Sequence, residues 1–289
     1  MQIQTVGIFS PGDMGGAIAS VLHQNGLRTV AALDDRSERT QQLAAAVQVE
    51  NVGSLQNLVS ESDVILSVLV PSAATQAAKQ VAQAIQQLGK SVVYADCNAI
   101  APDRVKEIAT IIEGAGGQFV DASIIGPPPH VPNRTRIYAS GKQAETLAQL
   151  RDYGLDVRVI GDEIGQASGL KMCYAALTKG LTAIATELLI AAHRLDLEDV
   201  LWQELSTSQK ELFDILQRSI PAMTPKAHRW IGEMEEIAAT FGAVGLTEST
   251  FTGAADIYRF VKDTPLGKET PEERDRDRSF ADVIAILSQ

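Results

Sequence analysis

The sequence has few cysteines, few aromatic residues and a deficit of positive charge. Two cysteines among 289 residues, Cys97 and Cys173, exclude a disulfide framework and a cysteine-rich metal motif and favour a reducing, cytoplasmic setting. Lysine and arginine number 25 against 36 acidic residues, and the net charge of −11 argues against a nucleic-acid partner. The four histidines show no spacing typical of metal ligands, so no metal site is predicted.

Only one apolar run is long enough to raise the question of a membrane span. The run Ala167–Ala192 has the length of a transmembrane helix, but it contains Lys171, Lys179 and Glu187. Charged side chains inside a bilayer are costly. The run is therefore predicted to be a long helix buried inside a soluble protein that has no membrane partner.

Short apolar runs and helical patterns alternate over the first 160 residues. Seven strands are predicted: Thr5–Phe9, Thr29–Leu33, Asp63–Val70, Ser91–Asp96, Gln118–Ile124, Arg134–Ser140 and Val157–Gly161. Four helices are predicted among them: Gly15–Asn25, Ser37–Ala46, Ala73–Leu88 and Pro102–Ala115. This alternation is typical of an α/β domain with a mostly parallel sheet that is covered on both faces.

After Gly161 the strand patterns stop and only helical patterns follow. The predicted helices are Ile164–Arg194, Glu198–Ser206, Gln209–Ser219, Pro225–Val244, Ser249–Phe260 and Pro271–Leu287. Prolines in SIPAMTP and DTPLGKETP are expected to break the helices between them. The run EERDRDR, Glu272–Arg278, is predicted to be a solvated helix face. The sequence thus predicts an α/β domain over 1–162 and an all-helical domain over 163–289, with a long interdomain helix.

A glycine-containing loop follows the first predicted strand. It reads SPGDMG over Ser10–Gly15, and Gly12 and Gly15 take the places of the last two glycines of the dinucleotide-binding pattern GxGxxG. Ser10 replaces the first glycine. Such a loop lets the backbone approach a pyrophosphate, which the following helix N-terminus attracts. The loop alone leaves an ordinary strand–helix turn as the alternative.

Charged residues follow the second predicted strand. A carboxylate such as Asp34 or Asp35 at this place binds the ribose hydroxyls of NAD, whereas Arg36 and Ser37 suit the 2′-phosphate of NADP. The sequence carries both signals. We predict NADP as the cofactor, with NAD as the alternative.

Six motifs, in order along the chain, resemble those of one family. They are GDMGGAIASVLHQNG, DVILSVLVP, DCNAIAP, VDASIIGPPP, GQASGLKMCYAALTKG and ATELLIAAHRLDLE. Together they resemble the β-hydroxyacid dehydrogenases, which include 6-phosphogluconate and 3-hydroxyisobutyrate dehydrogenases. The loop IIGPPP is similar to that of a phosphogluconate-dehydrogenase-like branch of the family.

The resemblance implies an N-terminal NAD(P)-binding Rossmann domain and a helical substrate and dimerisation domain, in a homodimer. It makes Lys171 the general acid/base. With the residues discussed above, the predicted cofactor site consists of Ser10, Pro11, Gly12, Asp13, Met14, Gly15, Asp34, Arg36, Ser37, Leu69, Val70, Pro71 and Asn98. The predicted substrate site consists of Ser123, Ile125, Gly126, Pro127, Thr178 and Glu233.

The substrate motifs depart from the family pattern. Ile125 stands where the family has a serine, Pro127 where it has a glycine, and Ala175 where it has an asparagine. Ser123 and Thr178 are among the nearest polar replacements. Of the histidines, only His130 lies near the inferred substrate loop.

These observations predict an NAD(P)-dependent oxidoreductase that transfers a hydride between the nicotinamide and a small hydroxy acid or its carbonyl counterpart. Two alternatives stay open. An imine reductase of the same fold is one, although Lys171 counts against it, because such relatives usually have another residue there. The other is a non-catalytic dinucleotide sensor.

Overall fold

The structure, a computed structural model, describes residues 2–129, 134–270 and 273–289. It divides into two compact units, residues 1–172 and 173–289. The first contains all the described strands, and the second consists of helices and their connections. This agrees with the predicted order of an α/β region followed by an all-helical region.

The first unit is built on an eight-stranded sheet with the order β3-β2-β1-β4-β5-β6-β7-β8. The strands are β1 Thr5–Ile8, β2 Arg28–Ala31, β3 Glu50–Asn51, β4 Val64–Ser67, β5 Val93–Asp96, β6 Gln118–Ile125, β7 Arg136–Ser140 and β8 Asp156–Gly161. Only the β6–β7 pair is antiparallel among these strands. The sheet is mostly parallel, as predicted.

Helices follow most of the strands and cover the sheet. In the first unit they are α1 Asp13–Gln24, α2 Glu38–Ala46, α3 Leu55–Glu61, α4 Ala74–Leu88, α5 Pro102–Gly114 and α6 Ala144–Ala148. Because successive strand residues point to opposite faces, each strand supplies two cores. Val6 of β1 packs with Ile18 of α1 in one core, and Ile65 of β4 packs with Ile85 of α4 in the other.

The remaining described helices are α7 Gln166–Arg194, α8 Glu198–Ser208, α9 Lys210–Met223, α10 Ala227–Ala243, α11 Ser249–Asp263 and α12 Phe280–Leu287. Among them, α7 crosses the boundary between the two units and the others lie in the second unit. Two predictions here are wrong in extent. Helix α9 continues through Pro221 to Met223 instead of ending at Ser219. The last helix begins at Phe280 rather than Pro271, so residues 273–279 are not a helix face; Pro271 and Glu272 lie outside the described residues.

Helix α7 is less buried than the sequence predicts. Among the described residues it alone is long and apolar enough to cross a membrane, but that criterion rests on length and composition only. Half of its most apolar stretch is buried, while Tyr174, Leu177, Ile184 and Leu188 are exposed. One such helix is weak evidence for a membrane span, since core helices of soluble proteins meet the same criterion.

Candidate functional site

The glycine loop connects β1 to α1 and has the geometry that a close ligand requires. At Gly15 an added Cβ would overlap the carbonyl oxygen of Ser10, so only glycine lets α1 pack this tightly against the loop. At Gly12 an added Cβ would meet no atom within 4 Å, so the space beside it is open. Gly12 is also the N-cap of α1 and supplies no side-chain hydrogen bond to the first turn. Pro11 is buried, whereas Asp13 is exposed and Ser10 and Met14 are half-buried.

Arg36 lies against the start of this loop. Its Nη2 donates to the carbonyl oxygen of Phe9 over 2.8 Å, and its guanidinium stands 5.2 Å from the centroid of the Phe9 ring. The structure therefore brings Arg36 to the loop, as a role in cofactor binding requires. A guanidinium has five N–H donors, so this single bond leaves others for a ligand.

The other two charged or polar candidates after β2 also have partners within the chain. The Asp34 carboxylate is exposed and accepts from Asn51 Nδ2 over 3.0 Å. The Ser37 hydroxyl caps α2 by accepting from the Thr40 backbone N–H over 3.3 Å. Both partners are local, so neither interaction tests the predicted cofactor contacts.

Sequence reasoning missed two residues beside this group. Arg39 extends from α2 to within 3.7 Å of the Asp13 carboxylate on α1. Asn51 lies in β3, and its Oδ1 accepts from the backbone N–H groups of Leu33 and Gly53. Arg39, in the first turn of α2, was too far from the glycine pattern to draw attention, and a two-residue strand has no detectable periodicity.

Asn98 fixes the loop that follows β4. Its Oδ1 accepts from the Leu69 N–H over 2.5 Å, and its Nδ2 donates to Ser67 Oγ over 3.1 Å. Asn98 is only 2% exposed, whereas Val70 is exposed and Leu69 and Pro71 are half-buried. Of the four residues predicted for this part of the cofactor site, the structure thus joins Asn98 to Leu69 directly, and Val70 and Pro71 follow Leu69 in the same loop.

A row of buried polar side chains crosses four strands next to this loop. Ser67, Asp96, Asp121 and Ser140 are successive register partners on β4, β5, β6 and β7. Burial, with a smaller contribution from the neighbouring Asp121, raises the pKa of the Asp96 carboxyl to about 7, although hydrogen bonds from Asn98 oppose the rise. The Asp96 Oδ1 accepts from the Asn98 N–H over 3.0 Å, whereas the Asp96 Oδ2 has no partner among the described residues.

Asp121 binds the start of α7. Its Oδ2 accepts from Ser140 Oγ over 3.1 Å and from the backbone N–H groups of Gly165 and Ser168 over 2.8 and 3.1 Å. Its Oδ1 accepts from Ser168 Oγ over 2.5 Å. These four donors oppose the rise in pKa that burial gives this carboxyl. A carboxylate at a helix N-terminus also interacts favourably with the helix dipole.

Lys171, one turn further along α7, reaches the carboxyl end of β6. Its Nζ donates to the Ile124 carbonyl oxygen over 2.7 Å, and the residue is half-buried. Asp121 and Ile124 both belong to β6, so the same strand holds the start of the helix and orients the lysine. Sequence reasoning selected Lys171 but missed Asp121, although both residues stand in the quoted motifs.

The predicted substrate loop begins where β6 ends. Ser123 is 1% exposed, and its hydroxyl has no hydrogen-bond partner among the described residues. Ile125 is buried, and Gly126 has a φ of +129° at which an added Cβ would overlap the Arg134 carbonyl oxygen. The Pro127 carbonyl accepts from Thr135 Oγ1 over 2.5 Å. His130 lies outside the described residues.

The last two predicted substrate residues belong to the second unit. Thr178 is exposed and donates to the Tyr174 carbonyl one turn earlier in α7, over 3.2 Å. Glu233 forms an ion pair with Lys179, whose Nζ also lies 4.7 Å from the centroid of the Trp230 ring. Desolvation lowers the pKa of Lys179, although Glu233 opposes this. Glu233 therefore has a cation as partner within its own unit.

The residues around the glycine loop fit a dinucleotide. The open space at Gly12, the tight packing at Gly15 and the uncapped first turn of α1 are the features that a pyrophosphate requires. Parallel α/β sheets bind ligands at the carboxyl ends of their strands, where Arg36, Asn98 and Lys171 also lie. The fold and this site define a dinucleotide-binding α/β protein.

Comparison with known proteins identifies the family. Residues 3–152 match the NAD binding domain of 6-phosphogluconate dehydrogenase, and residues 192–261 match a domain of unknown function. The conserved protein MTH1747, of unknown function and described as structurally similar to 3-hydroxyacid dehydrogenases, is 32% identical, with a TM-score of 0.69 over 90% of this chain and 97% of that one. The chain belongs to the β-hydroxyacid dehydrogenase superfamily, as its motifs predict.

Two further solved structures share the fold at low identity. The Mycobacterium tuberculosis 3-hydroxyisobutyrate dehydrogenase with L-serine is 18% identical, with a TM-score of 0.70 and full coverage of both chains. A variant imine reductase from Myxococcus stipitatus with NAD⁺ is 17% identical, with a TM-score of 0.56 over 99% of this chain and 100% of that one. The fold is therefore that of NAD(P)-binding dehydrogenases and reductases, and it supports a nicotinamide dinucleotide as cofactor.

Proposed function

We propose that the protein transfers a hydride between a nicotinamide dinucleotide and a small hydroxy acid or its carbonyl counterpart, with Lys171 as the general acid/base. The observation that carries this proposal is the position of Lys171 Nζ, 2.7 Å from the Ile124 carbonyl oxygen at the end of β6. This position is next to the SIIGPPP loop that the sequence motifs assign to the substrate.

The lysine is held by a chain of contacts within the first unit. Asp121 binds two backbone N–H groups and one hydroxyl at the start of α7, and Ile124 accepts a hydrogen bond from the lysine itself. A general acid/base must be held within hydrogen-bond reach of the group that it serves, and a rigid helix start provides such a position. The buried Ser123 hydroxyl, which lacks a partner among the described residues, is the polar group that we assign to substrate binding.

The bound nicotinamide would supply the acceptor or donor of the hydride. In the oxidation direction the Lys171 amine takes the proton of the substrate hydroxyl as the hydride leaves the carbon that bears this hydroxyl. In the reduction direction the lysine returns that proton to the carbonyl oxygen. The Gly12–Gly15 backbone would hold the pyrophosphate, and the loop fixed by Asn98 would border the nicotinamide.

We assign NADP rather than NAD as the preferred cofactor. Arg36 stands at the start of the glycine loop, and arginine binds phosphate through charge-assisted hydrogen bonds. Arg39, in the first turn of α2, adds a second positive charge close to Arg36 in the chain. The Asp34 carboxylate is partly engaged by Asn51, which weakens its repulsion of a 2′-phosphate.

We propose that the active protein is a cytoplasmic homodimer. Both cysteines are free thiols, as in proteins of a reducing compartment. The second unit exposes several large apolar side chains, among them Leu177 and Leu195, which a second copy would cover.

The test of the proposed chemistry is Lys171→Met. We expect turnover of the best substrate from a panel of small hydroxy acids and carbonyl compounds to fall by roughly 10²–10⁴-fold, the usual scale for loss of a general acid/base. Cofactor affinity, measured by fluorescence titration, should stay unchanged. The matched control is Lys142→Met, an exposed lysine of the same unit, which should keep full turnover.

Two outcomes would contradict the proposal. Near-normal turnover in the Lys171→Met protein would exclude the lysine as acid/base. Tight cofactor binding by the wild type without turnover of any hydroxy acid or carbonyl compound would instead favour a dinucleotide sensor, and turnover of imines alone would favour an imine reductase.

A further inference from the structure

The segment before α12 carries arginines into two adjoining cavities of the second unit. One cavity has a volume of about 260 Å³ and the other of about 350 Å³. Arg274 and Arg276 line both of them. Arg218 lines only the first, and Lys226 only the second. The arginines of the EERDRDR run thus lie around two cavities that are open to solvent, in a segment that is not helical: Arg276 is exposed and Arg274 is half-buried.

One arginine fixes this segment. Arg278 forms a two-pronged ion pair with Glu269, with Nη1–Oε2 and Nη2–Oε1 distances of 3.1 and 2.6 Å. Both side chains are about one-fifth exposed, so the pair is shielded from water. The bidentate geometry holds the loop in register with the chain that precedes it.

The other four cations have no such partner. Within the part of the chain that the structure describes, the side chains of Arg218, Lys226, Arg274 and Arg276 form no ion pair and no hydrogen bond. Of the described residues that line the two cavities, Asp275 alone carries a negative charge.

The nearby carboxylates accept hydrogen bonds from residues of the same loop. Asp275 Oδ1 accepts from the backbone N–H of Asp277 over 3.0 Å. Glu273 Oε2 accepts from Thr270 Oγ1 over 2.8 Å. These bonds shape the turn, so the described acids do not neutralise the arginines across the cavities.

Four positive charges lie around these two cavities, although the protein as a whole has a net charge of −11. Like charges repel one another, and an anion bound between them relieves that repulsion. The planar guanidinium group donates two parallel hydrogen bonds to a pair of phosphate oxygens, and several arginines together favour a ligand with more than one negative charge. Two adjoining cavities with shared arginines suit two linked phosphate groups.

We propose that Arg218, Lys226, Arg274 and Arg276 form a binding site for a small molecule that carries two phosphate groups, separate from the glycine loop of the first unit. Thr224 and Gln217 also line the first cavity and supply neutral polar groups. The site is independent of the proposed oxidoreductase chemistry, because none of its residues belongs to the first unit.

Inorganic pyrophosphate is the probe that tests this site. Calorimetric titration of the full-length protein should show one additional site per chain that persists when NAD saturates the glycine loop. The double variant Arg274→Gln/Arg276→Gln should raise the dissociation constant at least tenfold. The control, Lys210→Gln/Arg259→Gln, removes two exposed cations of the same unit and should change it less than twofold.

A second measurement reads the site directly. Phe280 lines the first cavity, and its ring centroid lies 5.2 Å from that of Trp202, so pyrophosphate should change tryptophan fluorescence in the wild type but not after Trp202→Phe. The thermal unfolding curve, measured on every variant, checks that the second unit is folded. If the double variant does not fold, Arg218→Gln alone should still weaken pyrophosphate binding severalfold.

Three results would overturn the proposal. These are absence of pyrophosphate binding beyond the glycine loop, equal binding by the double variant and the wild type, and tighter binding of citrate than of pyrophosphate. The last would assign the site to polycarboxylates instead of phosphates. None of them bears on the Lys171 test, whose readout is turnover.

Discussion

At the scale of single residues, the Asp96 carboxyl makes stability depend on pH. Burial raises its pKa from 3.8 to about 7, whereas in the unfolded chain it returns to its ordinary value. Between these values the native state holds a proton that the unfolded state has lost. The contribution of this retained proton to the free energy of unfolding is therefore fully present below about pH 4. It is lost as pH rises towards 7, at a slope of at most about 1.4 kcal/mol per pH unit.

Asp96→Asn should remove this slope, because the amide is neutral at every pH. We expect its free energy of unfolding to equal that of the wild type near pH 4 and to exceed it at pH 8 by roughly 1–4 kcal/mol. Urea denaturation at several pH values measures this. Asp162→Asn, at an exposed position, is the control and should follow the wild type. Parallel pH profiles of Asp96→Asn and wild type would refute the assignment.

Arg36 determines cofactor choice in the proposed function. Loss of one charge-assisted hydrogen bond to phosphate costs about 1.5–3 kcal/mol, which corresponds to roughly 10- to 100-fold in affinity. Arg36→Ala should therefore raise the NADP dissociation constant by about tenfold or more and leave that of NAD within twofold. Equal weakening of both cofactors would mean that the arginine acts only through the Phe9 carbonyl that it binds.

The sequence motifs identified several residues of the site but not the structural roles of those residues. They selected Lys171, Arg36 and Asn98, which the structure places at the carboxyl ends of the strands. They did not show that the Asn98 amide joins Leu69 to Ser67, or that Asp121 holds α7. Such roles depend on which strands lie next to each other, and the linear order of residues does not contain that information.

At the scale of elements, periodicity predicted the long helices and the buried strands. It missed β3, α3 and α6, which have two, seven and five residues. The two helices complete at most about two turns and the strand has only two residues, so no repeat can be recognised in these elements. Proline was also overestimated as a break, because α9 accommodates Pro221 near its end, where few backbone hydrogen bonds are lost.

Helix α7 shows what composition alone cannot decide. Its apolar residues were all expected to be buried, yet Leu177 is 67% exposed and Ile184 is 49% exposed. Hydrophobic side chains need an apolar partner, but the sequence of one chain does not show whether that partner lies in the same chain.

At the scale of the whole molecule, the exposed apolar residues of the second unit carry the homodimer prediction. Beside Leu195, side chains of α7 and α11, among them Ile190 and Phe260, line a groove of about 580 Å³. We expect sedimentation velocity at micromolar concentration to show a species of twice the chain mass. The double variant Leu177→Lys/Leu195→Lys should dissociate it.

The control for this experiment lies in the first unit. Leu88 is 41% exposed at the end of α4, and Leu88→Lys should leave the dimer intact. A wild-type monomer, or a double variant that sediments as the wild type does, would refute the prediction.

The contacts of the Asp121 carboxylate also have a consequence for folding during synthesis. All its described partners, Ser140, Gly165 and Ser168, precede residue 173, and so do Lys171 and Ile124. Domains generally fold as units during synthesis, the N-terminal one first. The lysine can therefore be fastened to the sheet while the ribosome is still translating the helical unit, and α7 then grows outward from an end that is already fixed.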